Sequence, residues 1–336
     1  MDRSLPSPSG ADIDGELLLA VERAALAIGR LDARVSASSV APAWHRRAAW
    51  TGYARALQLH GTEIDEIDVF SWGSGVHVPG RPARHTLVDE FSAFDPWLMR
   101  LQAQGRHWAE DLPFTVAQAP DRPRPPALLR TLSLLSEYLR AERSLDAWLS
   151  VPILLHRLGV TERPLPCLVA GDRRLIHPLR DMAPTWRRIL RELEESAIAG
   201  GKCLTSIEDA RAKAVAAIAA ERRPSALHRL SALLLSAPVQ SPEAVARKLK
   251  LTLSGAGKLL TRAAGLGLVV EVSGRKAWRT YVSPDLAVAL GLLSAPRGRP
   301  AARPPSPEPV GDLRSVLAAF DRELADFDAR FGEPQV

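Results

Sequence analysis

SPEAVARKLKLTLSGAGKLLTRAAGLGLVVEVSGRKAWRTYV, the run from Ser241 to Val282, decides the reading of this chain. Ser241 followed by Pro242 is a cap and first-turn pair, so a helix starts there. Val245, Ala246 and Leu249 give that helix one apolar face at helical spacing. Leu251 and Thr252 fit a tight turn, with Thr252 as the N-cap of a second helix. On the second helix Ala256, Leu259, Leu260 and Ala263 point inward, which leaves Ser254, Gly255, Lys258, Thr261 and Arg262 on the opposite face. Gly267 ends it, and two β-rich runs, Leu268–Val272 and Ala277–Val282, flank a turn over Ser273–Lys276. The pattern is a helix-turn-helix followed by a basic β-hairpin wing. A second helix held at a fixed angle in this way fits the DNA major groove. Ser254, Gly255, Lys258 and Arg262 would face the bases, with Thr252 and Thr261 beside them. Arg275, Lys276 and Arg279 on the wing would meet phosphates. Gly255 and Gly257 each weaken the helix by about 1 kcal/mol relative to Ala, which fits either a close backbone approach to DNA or loose selection.

Charge points the same way. Residues 222–300 carry thirteen Arg or Lys against three Asp or Glu, a balance of +10 in a chain whose net charge is +6, so the remainder is slightly acidic. Four of the six lysines, Lys248, Lys250, Lys258 and Lys276, fall in this window. A basic segment on an otherwise acidic chain is the electrostatic footprint of a nucleic-acid binder.

A length of 336 residues allows two domains and a substantial core, and a 46% apolar share is ordinary for a globular protein. The polar opening MDRSLPSPSGADIDG has no basic-then-apolar signal, and no apolar run reaches bilayer length, so a cytoplasmic protein without membrane contact is expected. Cys167 and Cys203 stand alone, without a CxxC or HExxH pattern, and read as small buried hydrophobes. No metal and no cofactor is expected.

Residues 1–12 read as disordered. A helical domain occupies 13–222. It opens on an amphipathic helix, Ile13–Val35, striped by Leu17, Val21, Ala24, Ile28, Leu31 and Val35. A helix from Pro42 to His60 stops at Gly61. Ile67–Pro82, with Gly73-Ser74-Gly75 at its centre, reads as a hairpin or an extended excursion. Helices are predicted over Ala127–Arg143 and Leu145–Arg157, and a partly extended stretch over Pro164–Pro178. Two more helices, Pro184–Ala199 and Ser206–Glu221, are separated by Gly200-Gly201, with Thr205 and Glu208 at capping-box spacing. The winged unit occupies 223–294, starting with a helix from Pro224 and ending in one over Pro284–Leu293. Residues 295–310, proline-dense, form a linker. Residues 311–332 form an amphipathic helix with Leu313, Leu317, Phe320, Leu324, Phe327 and Phe331 in a heptad-like stripe. The fold class is mainly α: an N-terminal helical domain, then a winged helix-turn-helix with a small β-hairpin.

Two catalytic patterns fail on inspection. A phosphate-binding loop ending at Gly257-Lys258 needs a glycine where Thr252 stands and a Ser or Thr where Leu259 stands. His177-Pro178 resembles the start of the catalytic loop of Fic-type AMP-transferases. The next residues, Leu179-Arg180-Asp181-Met182-Ala183-Pro184, lack the glycines that would offer backbone amides to a pyrophosphate. The chain is therefore read as a non-enzyme.

LDARVSAS (Leu31–Ser38), the Trp-rich helix after it, DAWL (Asp146–Leu149) and the winged block together resemble an uncharacterised bacterial family, often plasmid-borne. Its members join a helical domain of unknown function to a C-terminal helix-turn-helix. The resemblance covers most of residues 15–285 and implies DNA binding without known catalysis. The expected function is sequence-specific binding of double-stranded DNA in transcription or plasmid maintenance, by a homodimer. The alternatives are a protein-interaction module built on a winged helix and a diverged, inactive Fic-type relative.

Overall fold

Helix-forming periodicity dominates the sequence, and helices dominate the fold. The structure, a computed structural model, describes residues 14–74, 76, 91–102, 112, 125–177, 181–221, 224–274 and 279–293. The expected disordered N-terminus, the linker and the C-terminal helix lie outside these residues. The described residues belong to one compact unit.

Asp14 caps α1 (Gly15–Ala37), its carboxylate accepting the Leu17 amide at 2.6 Å. The heptad stripe from Leu17 to Val35 is buried. Helix α2 (Ala41–His60) ends at Gly61, whose φ of 115° is a left-handed stop. Next come α3 (Glu66–Ser74), α4 (Phe94–Gln102), α5 (Ala127–Ala141), α6 (Leu145–Leu149) and α7 (Val151–Arg157). Leu145–Arg157, predicted as one helix, breaks at Ser150 because Pro152 has no amide to donate and crowds the preceding turn. The stretch from Ile67, expected to be a hairpin or an extended excursion, is helical as far as α3 runs. Its Phe70 packs edge-on against Trp50 with ring centroids 5.0 Å apart, and tertiary burial outweighs the glycines. Pro164–Pro178 contains a 3₁₀ turn, Arg173–Ile176, capped by Asp172.

The largest departure is α8, a single 37-residue helix from Ala183 to Ala219 where the sequence predicts two. Gly200 does not break it, because there the helix is pressed against its neighbours. An added Cβ would meet the Cys167 sulfur at 3.0 Å and Leu31 at 3.1 Å. The Gly200 carbonyl also accepts the Trp44 indole N–H at 2.8 Å. Thr205 therefore sits inside a helix and donates back to the Gly201 carbonyl at 3.1 Å. Glu208 accepts from Ser38 at 2.7 Å and Arg34 at 3.2 Å, tying α8 to the end of α1.

After α8 come α9 (Ser225–Ser236), β1 (Val239–Gln240), α10 (Pro242–Leu249), α11 (Leu253–Gly265), β2 (Val270–Glu271), β3 (Tyr281–Val282) and α12 (Pro284–Ala289). The strands form an antiparallel sheet in the order β1-β3-β2, with Val239 and Val270 both opposite Val282.

Two hydrophobic clusters organise the unit. The first surrounds Trp44, Trp50, Tyr53, Trp97 and Trp148 and reaches Ala237, Val239, Ala244, Val282 and Leu286. The second joins α9, α10 and α11 and is completed by Ala214 and Ile218 from α8. One buried side chain links the two regions. Arg47 of α2 is 3% exposed, donates to the Leu234 and Leu235 carbonyls at 3.1 and 2.8 Å, and pairs with Asp285 at 2.6 Å. It thereby satisfies the end of α9, whose last carbonyls have no partner within the helix.

Candidate nucleic-acid interface

Capping fixes where the two helices of the 241–265 segment begin. The Ser241 hydroxyl accepts the Ala244 amide at 3.1 Å, and Pro242 stands in the first turn. The Thr252 hydroxyl accepts the Gly255 amide at 3.1 Å in the same way. Between them α10 stops at Lys250, the one non-glycine residue with positive φ (53°) among those described. A side chain in that region costs roughly 1–2 kcal/mol. The turn holds because the Leu251 amide donates to the Ala246 carbonyl at 2.9 Å and Arg229 donates to the Leu249 carbonyl at 2.6 Å.

Ala256, Leu259, Leu260 and Ala263 of α11 are all buried. Thr252, Ser254, Lys258 and Thr261 are exposed, so four of the anticipated contact residues share the outer side of this helix. Leu253 stands with them, 62% exposed. Thr261 donates its hydroxyl to the Gly257 carbonyl at 3.0 Å, while Lys258 forms no ion pair with a described carboxylate. Gly255 is half-buried, and a Cβ there would meet only the Thr252 oxygen, at 3.0 Å. Arg262 departs from the expected grouping. Its guanidinium pairs with Glu221, beyond the end of α8. It works as a brace between α11 and the chain that precedes α9.

Past α11, Gly267 adopts φ 70°. The Glu271 carboxylate then accepts the Ser273 hydroxyl and the Ser273 and Gly274 amides, the latter two at 2.9 and 3.0 Å. These bonds, that of the Ser273 hydroxyl foremost, hold the Glu271 carboxyl below its usual range, and the positive charge of Arg279 adds to the effect. Arg279 is exposed. Arg275 and Lys276 lie outside the described residues.

Lys248, one of the four lysines of the basic window, has cations about it that the sequence pattern does not bring out. Arg247 and Lys248 are exposed on the last turn of α10, and Arg46 is exposed on α2. Partial burial, and then the charges of Arg46 and Arg247, pull the Lys248 ammonium below its usual value. The doublets Arg46-Arg47 and Arg247-Lys248 are visible in the sequence, but the influence of the Arg46 charge on Lys248 across some two hundred residues is not.

Gly257-Lys258 lies inside α11. The Asp181 carboxylate accepts the Ala183 amide at 2.9 Å at the start of α8. Burial pushes Cys167 up to about 12 and Cys203 up to about 11, so both remain thiols at neutral pH, whereas metal binding and nucleophilic attack use the thiolate. Among the described residues no three His, Cys, Asp or Glu side chains converge as a metal site, and no helix is long and apolar enough to cross a membrane. No protein-family model and no curated protein matches the chain.

Proposed function

We propose that this chain is a sequence-specific DNA-binding protein acting in transcription or plasmid maintenance, with residues 223–294 as a winged helix-turn-helix. The observation that carries this reading is the outer side of α11. It presents Ser254, Lys258 and Thr261 with no acidic residue among them, on a helix anchored by four buried side chains. Hydroxyls and an ammonium in that setting suit base edges in the major groove. Strands β2 and β3, which follow α11 and pair with each other, and the exposed Arg279 are consistent with the expected wing. Arg262 takes a positioning role in this reading, because its charge is already paired with Glu221. Bacterial helix-turn-helix proteins read paired half-sites as dimers, and a homodimer belongs to the proposal. Its seam lies outside the α1 stripe, since those residues are spent on packing within the chain.

Selection of bound duplexes from a random pool by the full-length protein, then titration across a salt series, tests the reading. An enriched motif is expected, with affinity falling linearly as salt rises on logarithmic axes. Lys258→Ala should abolish the preference for the motif while the fold persists. Absence of salt-dependent binding to any duplex overturns the proposal.

A further inference from the structure

We propose that the solvent face of α1 is a dimer seam, closed by the same face of a second copy running antiparallel. This rests on the homodimer of the DNA-binding reading above and gives it a place and a register.

Helix α1 carries two apolar rows. The first, from Leu17 to Val35, is buried within the chain. On the opposite side Leu19, Leu26 and Ala33 recur at heptad spacing and are exposed, the two leucines by 46% and 52%. A surface helix ordinarily keeps that side polar. Charge selects what covers it. Glu22 and Arg30 flank Leu26 on this face, one turn before it and one turn after, and both are exposed. The ion pairs of α1 among the described residues use Asp14, Glu16 and Arg34, all bonded to α8; Glu22 and Arg30 have none. The two are about 12 Å apart along the axis, twice the spacing at which residues of one helix pair. A second copy, antiparallel about a two-fold axis through Leu26, sets Glu22 opposite Arg30 of that copy, and does so twice. The same register places Leu19 against Ala33, large against small. It also places Arg23 against Gly29, where an added Cβ would meet nothing within 4 Å. A two-fold interface must be complementary to itself, and this face meets that condition about Leu26. A parallel pairing would put Glu22 on Glu22 and Arg30 on Arg30, which like-charge repulsion disfavours.

Sedimentation of the full-length protein over a concentration series, without DNA, tests the seam. The wild type should be dimeric. Leu26→Glu sets two carboxylates together on the axis and should leave monomer at concentrations where the wild type is dimer. Glu22→Arg and Arg30→Glu should each raise the dimer dissociation constant by about tenfold or more, because two pairs are lost together and like charges replace them. Mixed in equal amounts, these two variants should pair with each other as tightly as the wild type does with itself, and the double variant should pair with itself. All three positions are exposed, so circular dichroism of each variant should keep the wild-type helix content. A wild-type dimer that none of the variants weakens, or single variants that fail to rescue each other when mixed, overturns the seam alone. A monomeric wild type overturns the seam together with the homodimer above, while the duplex titrations decide DNA binding by themselves.

Discussion

Arg47→Ala removes a buried charge that joins α2 to α9 and α12. Asp285, whose side chain is 16% exposed, would keep its charge without its partner, and the Leu234 and Leu235 carbonyls would each lose a donor. Removing one member of a buried pair costs about 3–5 kcal/mol, because the other charge stays in place uncompensated. For a protein of this size each kcal/mol shifts the melting midpoint by roughly 2–4 °C, so a fall on the order of 10 °C is expected. Arg47→Lys should lose much of this too, since an ammonium cannot reproduce a planar fork that reaches three acceptors. Calorimetry on the single variants, with Asp285→Ala and the double variant, closes a cycle. Residues sharing one network should couple by roughly 0.5–3 kcal/mol. A loss below about 1 kcal/mol for Arg47→Ala, or strict additivity in the cycle, would refute the reasoning.

Adjacent glycines in α8 should respond with opposite signs. Gly201→Ala, with only Arg34 near at 3.9 Å, gains helix propensity of about 1 kcal/mol, whereas Gly200→Ala drives a methyl toward Cys167 and Leu31 and destabilises on balance; denaturant midpoints decide. Gly257→Ala meets nothing within 4 Å and should stabilise by about 1 kcal/mol; if its operator affinity also falls, the bare backbone there is a contact surface, and unchanged affinity would make that glycine a product of loose selection. Thr252→Ala removes the α11 cap and should cost about 1 kcal/mol in thermal unfolding, with Thr252→Ser close to wild type. The low Glu271 value gives a pH signature. Because its folded value is depressed, the stabilisation of the turn is complete above the unfolded carboxylate value and is lost as pH falls through the folded one. The Ser273 and Gly274 amide resonances should therefore titrate below the ordinary glutamate range, and a midpoint at or above it would contradict the bonding described.

What was legible in the sequence was local. Ser241 and Thr252 act as caps because a hydroxyl three residues before an open amide can do little else at a helix start. The α11 burial pattern results from its 3.6-residue period. What escaped depended on partners far along the chain. Gly200-Gly201 reads as a break until Trp44, Leu31 and Cys167 are seen packed on it. Strand β1 is two residues long and exists through its pairing with β3. Arg262 looks like a groove-reading cation until Glu221, forty-one positions earlier, claims its charge.

At 1.5 Å per residue α8 is about 55 Å long, and it plugs two cores with one rod. Residues from Ile189 to Ile207 belong to the first cluster, and Ala214 and Ile218 belong to the second. The two cores are thus soldered into one cooperative element. Loosening either strips apolar cover from the other, so a single sharp melting transition should replace the two steps of independent domains. A fragment cut at residue 223 would carry α9, α10 and α11 away from the side chains that seal their interior. The shortest piece able to stand alone must begin upstream, inside α8.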